Sequence, residues 1–423
     1  MRKITGGLSL LTLLLFLAVA QFLPDSLGNA ALWPIPEIPA PIYIRSDGSI
    51  EPHSAFIQRI GEVYILTGDL TNAIEVQRDH IVIDGNGFSI TQTSINTTGF
   101  MIPAGFYPAI RLDGRTNVTV KNVKIQNCLS GITLQSATNI TLTNNTITGT
   151  EKIAIFASSS KNCTFSQNSI NSNDQGMLII NSTCIHIFQN DIKRNRVGIQ
   201  VSHGGGYPNH YIAITRNNIS KSWDTGIMVD GGYQLIIIGN NLAENSKGLS
   251  VSYANCIVHH NNFVDNTESV KSNSCAGPWD NGRTGNFWSD YNGSDLNGDG
   301  IGDMPYIVET PWIWIEPTTN TSVTYGVHAQ DNYPLIAPLD VFSIPIELPE
   351  WAPLQSPSSS PFLESPAQPS TETDSSPFSQ TDTEQQERYT EELLLSAFVA
   401  VVVSFVVFAG LLVYFKKHKG RHL

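Results

Sequence analysis

Charge is the property that this sequence has least of. Asp, Glu, Lys and Arg make up 14% of the 423 residues, although about a quarter is usual in soluble proteins. The 24 basic residues are outnumbered by 37 acidic ones, and only the last eight residues gather basic side chains in one segment. Because proteins that bind nucleic acid need a basic face to contact phosphates, we exclude nucleic acid as a partner.

Cysteine is also scarce, with five residues: Cys128, Cys163, Cys184, Cys256 and Cys275. Five cysteines cannot all pair within one chain. Cys163 and Cys184 hold nearly corresponding places in successive segments of a repeat, and Cys256 with Cys275 is a second pairing that the sequence allows. Buried free thiols are the alternative, and the sequence leaves both open. No Cys/His pairing is visible, so we expect no nucleophilic role.

The two ends of the chain predict an exported, single-pass membrane protein. Residues 1–20 have the layout of a signal peptide, with residue 30 as the alternative end. Residues 393–415 form an apolar run long enough for a transmembrane helix. The basic tail over residues 416–423 is therefore cytoplasmic by the positive-inside rule, and everything before Leu393 faces outward.

A polar segment separates the predicted membrane helix from the rest of the chain. Residues 345–392 are rich in Pro, Ser, Thr, Glu and Gln and carry much of the formal net charge of −13. They contain too little apolar surface to offset the entropy of ordering, so we predict a disordered stalk. The many Asn-X-Ser/Thr sequons upstream of it predict a glycoprotein, without selecting the modified sites.

The middle of the chain repeats every 21 to 27 residues. Each repeat holds two apolar positions, seven or eight residues apart. The first column is Ile125, Ile147, Ile170, Ile192, Ile219, Leu242 and Phe263. The second column is Ile132, Ile155, Met177, Ile199, Ile227, Leu249 and Val270. Short β-branched segments between Asn, Gly and Ser at a fixed period indicate a solenoid of strands.

These columns predict an all-β protein, a right-handed parallel β-helix whose coils of about 22 residues stack at the spacing of a β-sheet. We place the β-helix over residues 81–275, with an N-terminal cap over 31–80 and a C-terminal cap over 276–344. The segments 93–108 and 203–210 interrupt the repeat and are predicted to form projecting loops.

An asparagine stands two residues before the first apolar column in six repeats. These residues are Asn145, Asn168, Asn190, Asn217, Asn240 and Asn261. Asparagine tolerates left-handed turn conformations, and its amide can bond to its copies in neighbouring coils. We therefore predict a structural asparagine ladder without chemistry of its own.

Several motifs resemble the β-helix family named after the periplasmic protein NosD, also described as carbohydrate-binding and sugar-hydrolase repeats. They are the opening IYIRSDGSI, coils of the form GI-x-L and N-x-T-x-x-N-x-I, WDNG, and the closing GNFWSDYNGSDLNGDGIGDMPY. The resemblance covers about Ile42 to Pro338. It implies a parallel β-helix in an archaeal-type membrane-anchored version, and it implies the fold far better than any activity.

The family name also implies copper. The available ligands are His186, His203, His210, His259, His260, Met177 and Met228. They form no recognisable copper cluster, so we do not expect a copper site. His259 and His260 are neighbours in a predicted strand, where we expect their side chains to point to opposite faces.

A glycine-rich segment near the C-terminal cap predicts a structural calcium site. Its ligands would be Asp295, Asn297, Asp299, Ile301 and Asp303. They place oxygen atoms at alternate positions, as in the first half of an EF-hand loop. Tyr306 stands where an EF-hand has its bidentate Glu, so Asp290 or another remote group would have to complete the shell. The alternative is a hydrogen-bonded turn.

Aromatic residues near the interruptions favour a surface protein that binds extracellular carbohydrate or mediates adhesion. They are Tyr207, Tyr211, Trp223 and Tyr233. Sugars stack on exposed aromatic rings while neighbouring polar groups bond to their hydroxyls.

Two other functions stay open. A polysaccharide hydrolase, lyase or epimerase would need clustered carboxylates, and the candidates are Asp174, Asp191, Asp224 and Asp230. The paired-Asp motifs of a polygalacturonase and the Asp-Pro-His-Asp motif of an alginate epimerase are missing. A copper delivery or maturation factor is the second alternative.

Overall fold

A computed structural model describes residues 40–92, 107–205, 208–309, 312–315, 322–325, 329–343 and 345. The predicted signal peptide, membrane helix and cytoplasmic tail, and the predicted stalk apart from Pro345, lie outside these residues. Every element of the described residues is a β-strand. No helix in this part of the chain is long and apolar enough to cross a bilayer.

The described chain begins with a cap of four strands. Strand β1 (Ile42–Ile44) pairs antiparallel with β2 (Ile50–Glu51), and β3 (Ile57–Ile60) forms an antiparallel hairpin with β4 (Val63–Leu66). On their other sides, β1 and β4 pair in parallel with the first coil of the β-helix. The cap thus covers strand edges that the first coil would otherwise expose.

Nine coils follow the cap, each made of two or three strands. In order, they contain β5 (Ile74–Val76), β6 (Ile81–Asp84) and β7 (Ser89–Thr91); β8 (Pro108–Arg111), β9 (Val118–Lys121) and β10 (Lys124–Gln126); β11 (Ser130–Gln135), β12 (Thr141–Thr143) and β13 (Thr146–Thr148); β14 (Ile153–Ser158), β15 (Lys161–Ser166) and β16 (Ser169–Asn171); β17 (Gln175–Ile180), β18 (Thr183–Phe188) and β19 (Asp191–Lys193); β20 (Val197–Ser202), β21 (His210–Thr215) and β22 (Asn218–Ser220); β23 (Thr225–Ile238) and β24 (Asn241–Ala243); β25 (Lys247–His259) and β26 (Asn262–Val264); β27 (Glu268–Ala276) and β28 (Phe287–Trp288).

Strands of successive coils pair in parallel and build two long sheets. The last strand of each coil belongs to a nine-stranded sheet, and the other strands belong to a 19-stranded sheet that also contains the cap. The larger sheet has two runs: run 1 holds the first strand of each coil and run 2 the second. In β23 and β25 both runs are parts of one bent strand. The predicted right-handed parallel β-helix is confirmed.

Both predicted apolar columns are confirmed as internal stripes. The first column lies in register in the nine-stranded sheet, where Ile90 and Trp288 extend it at the two ends. The second lies in register in run 1, from Ile132 to Val270. Nearly all of these side chains are fully buried, so each coil contributes to one continuous core.

A glycine column lies immediately before the second apolar column. A Cβ atom on Gly198 would lie 2.5 Å from the carbonyl oxygen of Gly226 in the next coil, and one on Gly226 would lie 2.7 Å from that of Gly248. No side chain fits at these distances without moving the backbone. Glycine therefore allows neighbouring coils to approach closely at this corner.

The asparagine ladder is confirmed as a buried hydrogen-bond relay. The backbone N–H and the Nδ2 of Asn217 both donate to Oδ1 of Asn240 at 3.0 Å, and Nδ2 also donates to the carbonyl of Ile187 at 2.9 Å. The expected left-handed conformation is instead that of the residue before each ladder asparagine, such as Arg216 with φ 53°. This turn places the asparagine side chain inside the corner.

The relay ends at a carboxylate in the C-terminal cap. Asn286, in coil 9, donates its backbone N–H to Asp331 at 2.7 Å, and Trp288 Nε1 donates to the same oxygen at 2.9 Å. The Trp288 ring itself stacks between Phe263 at 4.3 Å and Tyr306 at 4.1 Å, measured between ring centroids. Stacked aromatic rings thus cover the C-terminal end of the core, and the buried carboxylate of Asp331 is the last acceptor of the ladder.

Two pairs of short antiparallel strands complete the C-terminal cap. Strand β29 (Tyr306–Glu309) pairs with β32 (Ala329–Asp331), and β30 (Trp312–Ile315) pairs with β31 (Ser322–Tyr325). The pairing of β29 with β32 brings Asp331 beside Tyr306. This pairing places the Asp331 carboxylate at the end of the asparagine ladder.

A second ladder at another corner was missed in the sequence. Asn173 donates its backbone N–H and Nδ2 to Oδ1 of Asn195 at 2.9 and 3.1 Å, and Asn245 donates likewise to Asn266. Ser222 replaces the asparagine between these pairs, which interrupts the sequence signal. The same spacing of the asparagines could have revealed it.

We predict that Asn217→Ala lowers the free energy of unfolding by at least about 2 kcal/mol, because it leaves the buried amide groups of Asn190 without their acceptor. Urea unfolding followed by circular dichroism measures this. Asn171→Ala is the matched control, since Asn171 faces outward and is half-buried, and we expect a change below about 0.5 kcal/mol. Equal losses in the two variants would contradict the ladder's role.

We also predict a pH dependence that comes from Asp331. Burial raises the pKa of this carboxyl group to about 6, although the N–H groups of Asn286, Trp288 and Tyr333 lower it. The unfolded value is near 3.9, so the folded state binds more protons between these two pKa values. The contribution of Asp331 to stability therefore falls as pH rises from about 4 to about 6, and is constant above that.

Asp331→Asn removes this titration. His186 and His259 also titrate in this range, but they do so in both proteins. Urea unfolding at several pH values between about 4 and about 7 should therefore show a difference in the free energy of unfolding between wild type and variant that changes with pH. Parallel pH profiles of the two proteins would contradict the assignment.

Candidate functional site

The outer face of run 1 carries mostly polar side chains in coils 6 to 9, here called the polar strip. Its polar members are Gln200, Ser202, Asp230, Ser250, Ser252 and Lys271, and the apolar Met228 lies between Gln200 and Ser250. These residues alternate with the buried second column and its neighbours, so they face outward. In coils 4 and 5 the positions that correspond to Gln200 hold the buried apolar residues Phe156 and Leu178, so the polar strip begins at coil 6.

Exposed aromatic rings flank the polar strip at both ends of its strands. Trp223 stands just before β23 and is 66% exposed, and Tyr233 follows the first part of the same strand and is 56% exposed. The six residues Thr225 to Asp230 between these edges span about 20 Å as a strand. The strip is therefore a shallow polar surface between two aromatic edges.

One aromatic residue of this surface was missed in the sequence. Tyr253 is 69% exposed and occupies the corner of coil 8 that Gly231 occupies in coil 7. It lies on the same edge as Tyr233. The signal was a tyrosine at a corner position of the repeat, but that position is visible only once the strands are in register.

The remaining predicted carbohydrate-binding residues have different environments. Tyr211 is half-buried beside His210, whose ring also lies 5.3 Å from that of Tyr233. Tyr207 lies outside the described residues. Of the four aromatic residues predicted for binding, Trp223 and Tyr233 thus flank one surface on opposite edges.

The candidate catalytic carboxylates do not form one cluster. Asp174 and Asp224 lie at the corner before run 1, where both are ion-paired with Arg196, at 2.8 and 3.8 Å. Asp224 also pairs with Lys247 at 3.1 Å. Arg196 lies between the two carboxylates, one coil from each, so both contact a cation.

The other two carboxylates lie on different faces. Asp191 is on the nine-stranded sheet, where it pairs with Lys193 at 2.8 Å and accepts a hydrogen bond from Nδ2 of Asn218. Asp230 stands alone among these candidates on the polar strip. The sequence placed the four candidates in nearby coils, but the corners of the coil separate them.

The carboxylates of the predicted calcium loop accept hydrogen bonds from backbone N–H groups of the loop itself. Asp295 accepts backbone N–H groups of Gly298 and Gly300 at 2.7 and 2.9 Å, Asp303 accepts that of Leu296, and Asp299 accepts that of Ile301. Asn297 donates Nδ2 to Asp299. Asp290 accepts the hydroxyl of Tyr306 instead of facing the loop. Carboxylates have further lone pairs, and calcium here stays a prediction.

The potential copper ligands lie in several parts of the molecule. Met177 is buried in the core, Met228 is on the polar strip, and His203 and His210 flank the loop between β20 and β21. His186 is on the outer face of run 2 and contacts Thr215 at 2.9 Å; burial lowers its pKa to about 4. Nowhere in the described residues do three or more His, Cys, Asp or Glu side chains converge to hold a metal ion.

The expected orientation of His259 and His260 is wrong. Their Nδ1 atoms lie 2.6 Å apart, because His260 adopts a left-handed conformation with φ 57° and breaks the alternation of the strand. Burial and the neighbouring ring lower the pKa of His259 to about 4, against the effect of Asp280, and burial lowers the pKa of His260. Two neutral rings can share one N–H···N hydrogen bond, and these two rings are not a copper centre without further ligands.

All five cysteines are free thiols. The strand register pairs Cys163 with Ile185, so Cys184 lies one residue away from the position opposite Cys163. Cys163 is buried, whereas Cys184 is half-exposed. The hydrogen bond to Cys275, together with burial, raises the pKa of Cys256, and burial raises that of Cys163 to about 11. The buried cysteines therefore behave as small apolar residues.

Comparison with solved structures finds other β-helical proteins of low similarity. A mutant of the periplasmic alginate epimerase AlgG has a TM-score of 0.40 and 13% identity, covering 58% of this chain and 70% of that one. The A-module of the mannuronan C-5 epimerase AlgE4 of Azotobacter vinelandii has a TM-score of 0.32 and 11% identity, covering 49% and 68%. The catalytic domain of a GH87 alpha-1,3-glucanase has a TM-score of 0.26 and 12% identity, covering 49% and 54%. These TM-scores are too low for any activity to transfer.

The comparison with curated proteins gives no match. The family model described as "Periplasmic copper-binding protein (NosD)" matches residues 57–210 and 207–293. These residues include all nine coils up to the start of the C-terminal cap, and they amount to more than half of the sequence. The chain belongs to the NosD family.

Proposed function

We propose that this protein is a surface β-helix that binds an extended polysaccharide along the polar strip. The observation that carries the proposal is the position of exposed aromatic rings on two opposite edges of this outward polar surface: Trp223 on one edge, and Tyr233 and Tyr253 on the other. Tryptophan and tyrosine rings have an apolar body and a polar tip, so exposed ones can stack on the faces of sugar rings.

The side chains of the strip suit a sugar chain. Gln200, Ser250 and Ser252 offer amide and hydroxyl groups that can both donate and accept hydrogen bonds, as sugar hydroxyls require. Asp230 and Lys271 contribute one carboxylate and one ammonium group, so the charges of the strip balance. A neutral polysaccharide fits this surface better than a strongly charged one.

Binding without cleavage is the better reading of the carboxylates. Glycosidic hydrolysis needs two carboxyl groups that flank the scissile bond, whether at about 5.5 Å or at up to about 9.5 Å. Asp230 has no second carboxylate among the candidates on the strip, and Asp174 and Asp224 are engaged by cations. This arrangement supports a binding protein over a hydrolase.

Export and anchoring are part of the same proposal. A signal peptide over residues 1–20 and a membrane helix over 393–415 would hold the β-helix outside the cell, at the end of the stalk. A protein placed in this way would meet extracellular polysaccharide.

We predict that the full-length protein retains a neutral polysaccharide without shortening it. A panel of neutral and acidic polysaccharides, incubated with and without calcium, tests this when both retention and product size are followed. Retention with unchanged chain length supports the proposal. Shortened products would overturn it in favour of catalysis and direct attention to Asp230, and absence of retention across the panel would overturn it as well.

We further predict that Trp223→Ala and Tyr233→Ala each weaken retention about three- to tenfold, because each removes a ring that stacks on sugar. Phe56→Ala is the matched control: Phe56 is also exposed, but it lies in the N-terminal cap. Affinity measured by isothermal titration should be unchanged in this control. Equal effects of all three substitutions would place binding elsewhere.

A further inference from the structure

A row of alternating charges lies at the corner before run 1. Nε of Arg196 donates to Oδ1 of Asp174 at 2.8 Å and Nη2 to Oδ2 at 3.3 Å, so the carboxylate contacts one edge of the guanidinium group through two hydrogen bonds. Nη1 of Arg196 is 3.8 Å from Asp224, whose other oxygen accepts Nζ of Lys247 at 3.1 Å. The row thus joins coils 5 to 8 at one edge of the polar strip.

The backbone under this row is fixed from coil to coil. The N–H of Arg196 donates to the carbonyl of Asp174 at 3.0 Å, and that of Asp224 donates to the carbonyl of Arg196 at 3.0 Å. Trp223 donates its N–H to the carbonyl of Asn195 at 3.1 Å. The Cα atoms that carry the row and the indole are therefore held in register, and only side-chain rotation remains to be restricted.

The guanidinium group restricts the indole. Cζ of Arg196 lies 5.9 Å from the centroid of the Trp223 ring, within the range of a cation–π contact. The ring is still two-thirds exposed, so Arg196 contacts only part of it. The bidentate contact with Asp174 in turn fixes the plane of the guanidinium group, which a lysine could not reproduce.

We propose that Asp174 and Arg196 are positioning residues that hold the Trp223 indole as a preformed platform for a sugar ring. The inference rests on the proposed function, which it deepens. A fixed indole loses less rotamer freedom when sugar binds, so the affinity for the polysaccharide rises although neither Asp174 nor Arg196 touches the ligand. Asp174, which the sequence offered as a catalytic candidate, thereby receives a different role.

A surface ion pair without any role is the competing explanation, since such pairs contribute little to stability. The two explanations differ in one observable, the mobility of a single tryptophan. Fluorine NMR of the full-length protein labelled with 5-fluorotryptophan reports it without any ligand, and the Trp223→Phe variant identifies the resonance. We expect Asp174→Asn to shift and sharpen the Trp223 resonance and to leave the other tryptophan resonances unchanged.

The matched control is Asp191→Asn, which breaks an ion pair of equal length on the nine-stranded sheet and should leave the Trp223 resonance in place. An unchanged Trp223 resonance in Asp174→Asn would overturn the positioning role whether or not a polysaccharide binds. Failure of the proposed function shows up separately, as absence of retention in the wild-type protein.

A double-mutant cycle then tests the link to binding. Asp174→Asn and Arg196→Lys should each weaken polysaccharide retention about two- to fivefold, the factor that corresponds to one cation–π contact at an exposed site. In the Trp223→Ala background, Asp174→Asn should have no further effect. An equal loss in both backgrounds would overturn the proposal, because Asp174 would then act independently of the indole.

Discussion

The structure depends on how the buried corners of each coil satisfy their backbone N–H groups. A strand that turns inside a solenoid leaves amides that no strand of the sheet can pair, and burying them unpaired would cost about 1–3 kcal/mol each. The ladder asparagines remove this cost, because one side-chain oxygen accepts two N–H groups of the coil before. With this relay in place, the apolar columns can stack without a gap, and the number of coils can grow without a new kind of contact.

A uniform interior leaves the exterior free to vary. The second apolar column and the ladder change little from coil to coil, whereas the outward residues of run 1 pass from apolar Phe156 and Leu178 to polar Gln200 and Asp230 within two coils. Such a change costs no core contact, since outward and inward side chains alternate. The candidate binding surface is thus a local feature on a scaffold that many proteins of this type can share.

Contacts that repeat with the period of the coil could be predicted from sequence, and contacts that depend on one residue's conformation could not. The isoleucine columns and the ladder recur at a fixed spacing, which one chain displays by itself. The predicted orientation of His259 and His260 was wrong because His260 alone adopts a left-handed conformation, which breaks the alternation of the strand. Two other features involve residues of different coils: the ion pair of Asp174 with Arg196, and the position of Tyr253 on the same edge as Tyr233. They could be found only once the register of the coils was known.

Asp331 also determines where the β-helix stops. Every ladder asparagine accepts hydrogen bonds from the coil before it and donates to the coil after it, so each one needs an acceptor in the next coil. An ionised carboxylate accepts in the same way but has nothing to donate. The relay therefore has a direction, and Asp331 ends it. A longer β-helix of this architecture would arise by inserting coils before Asn286, because a coil added after it would find no amide donor on Asp331.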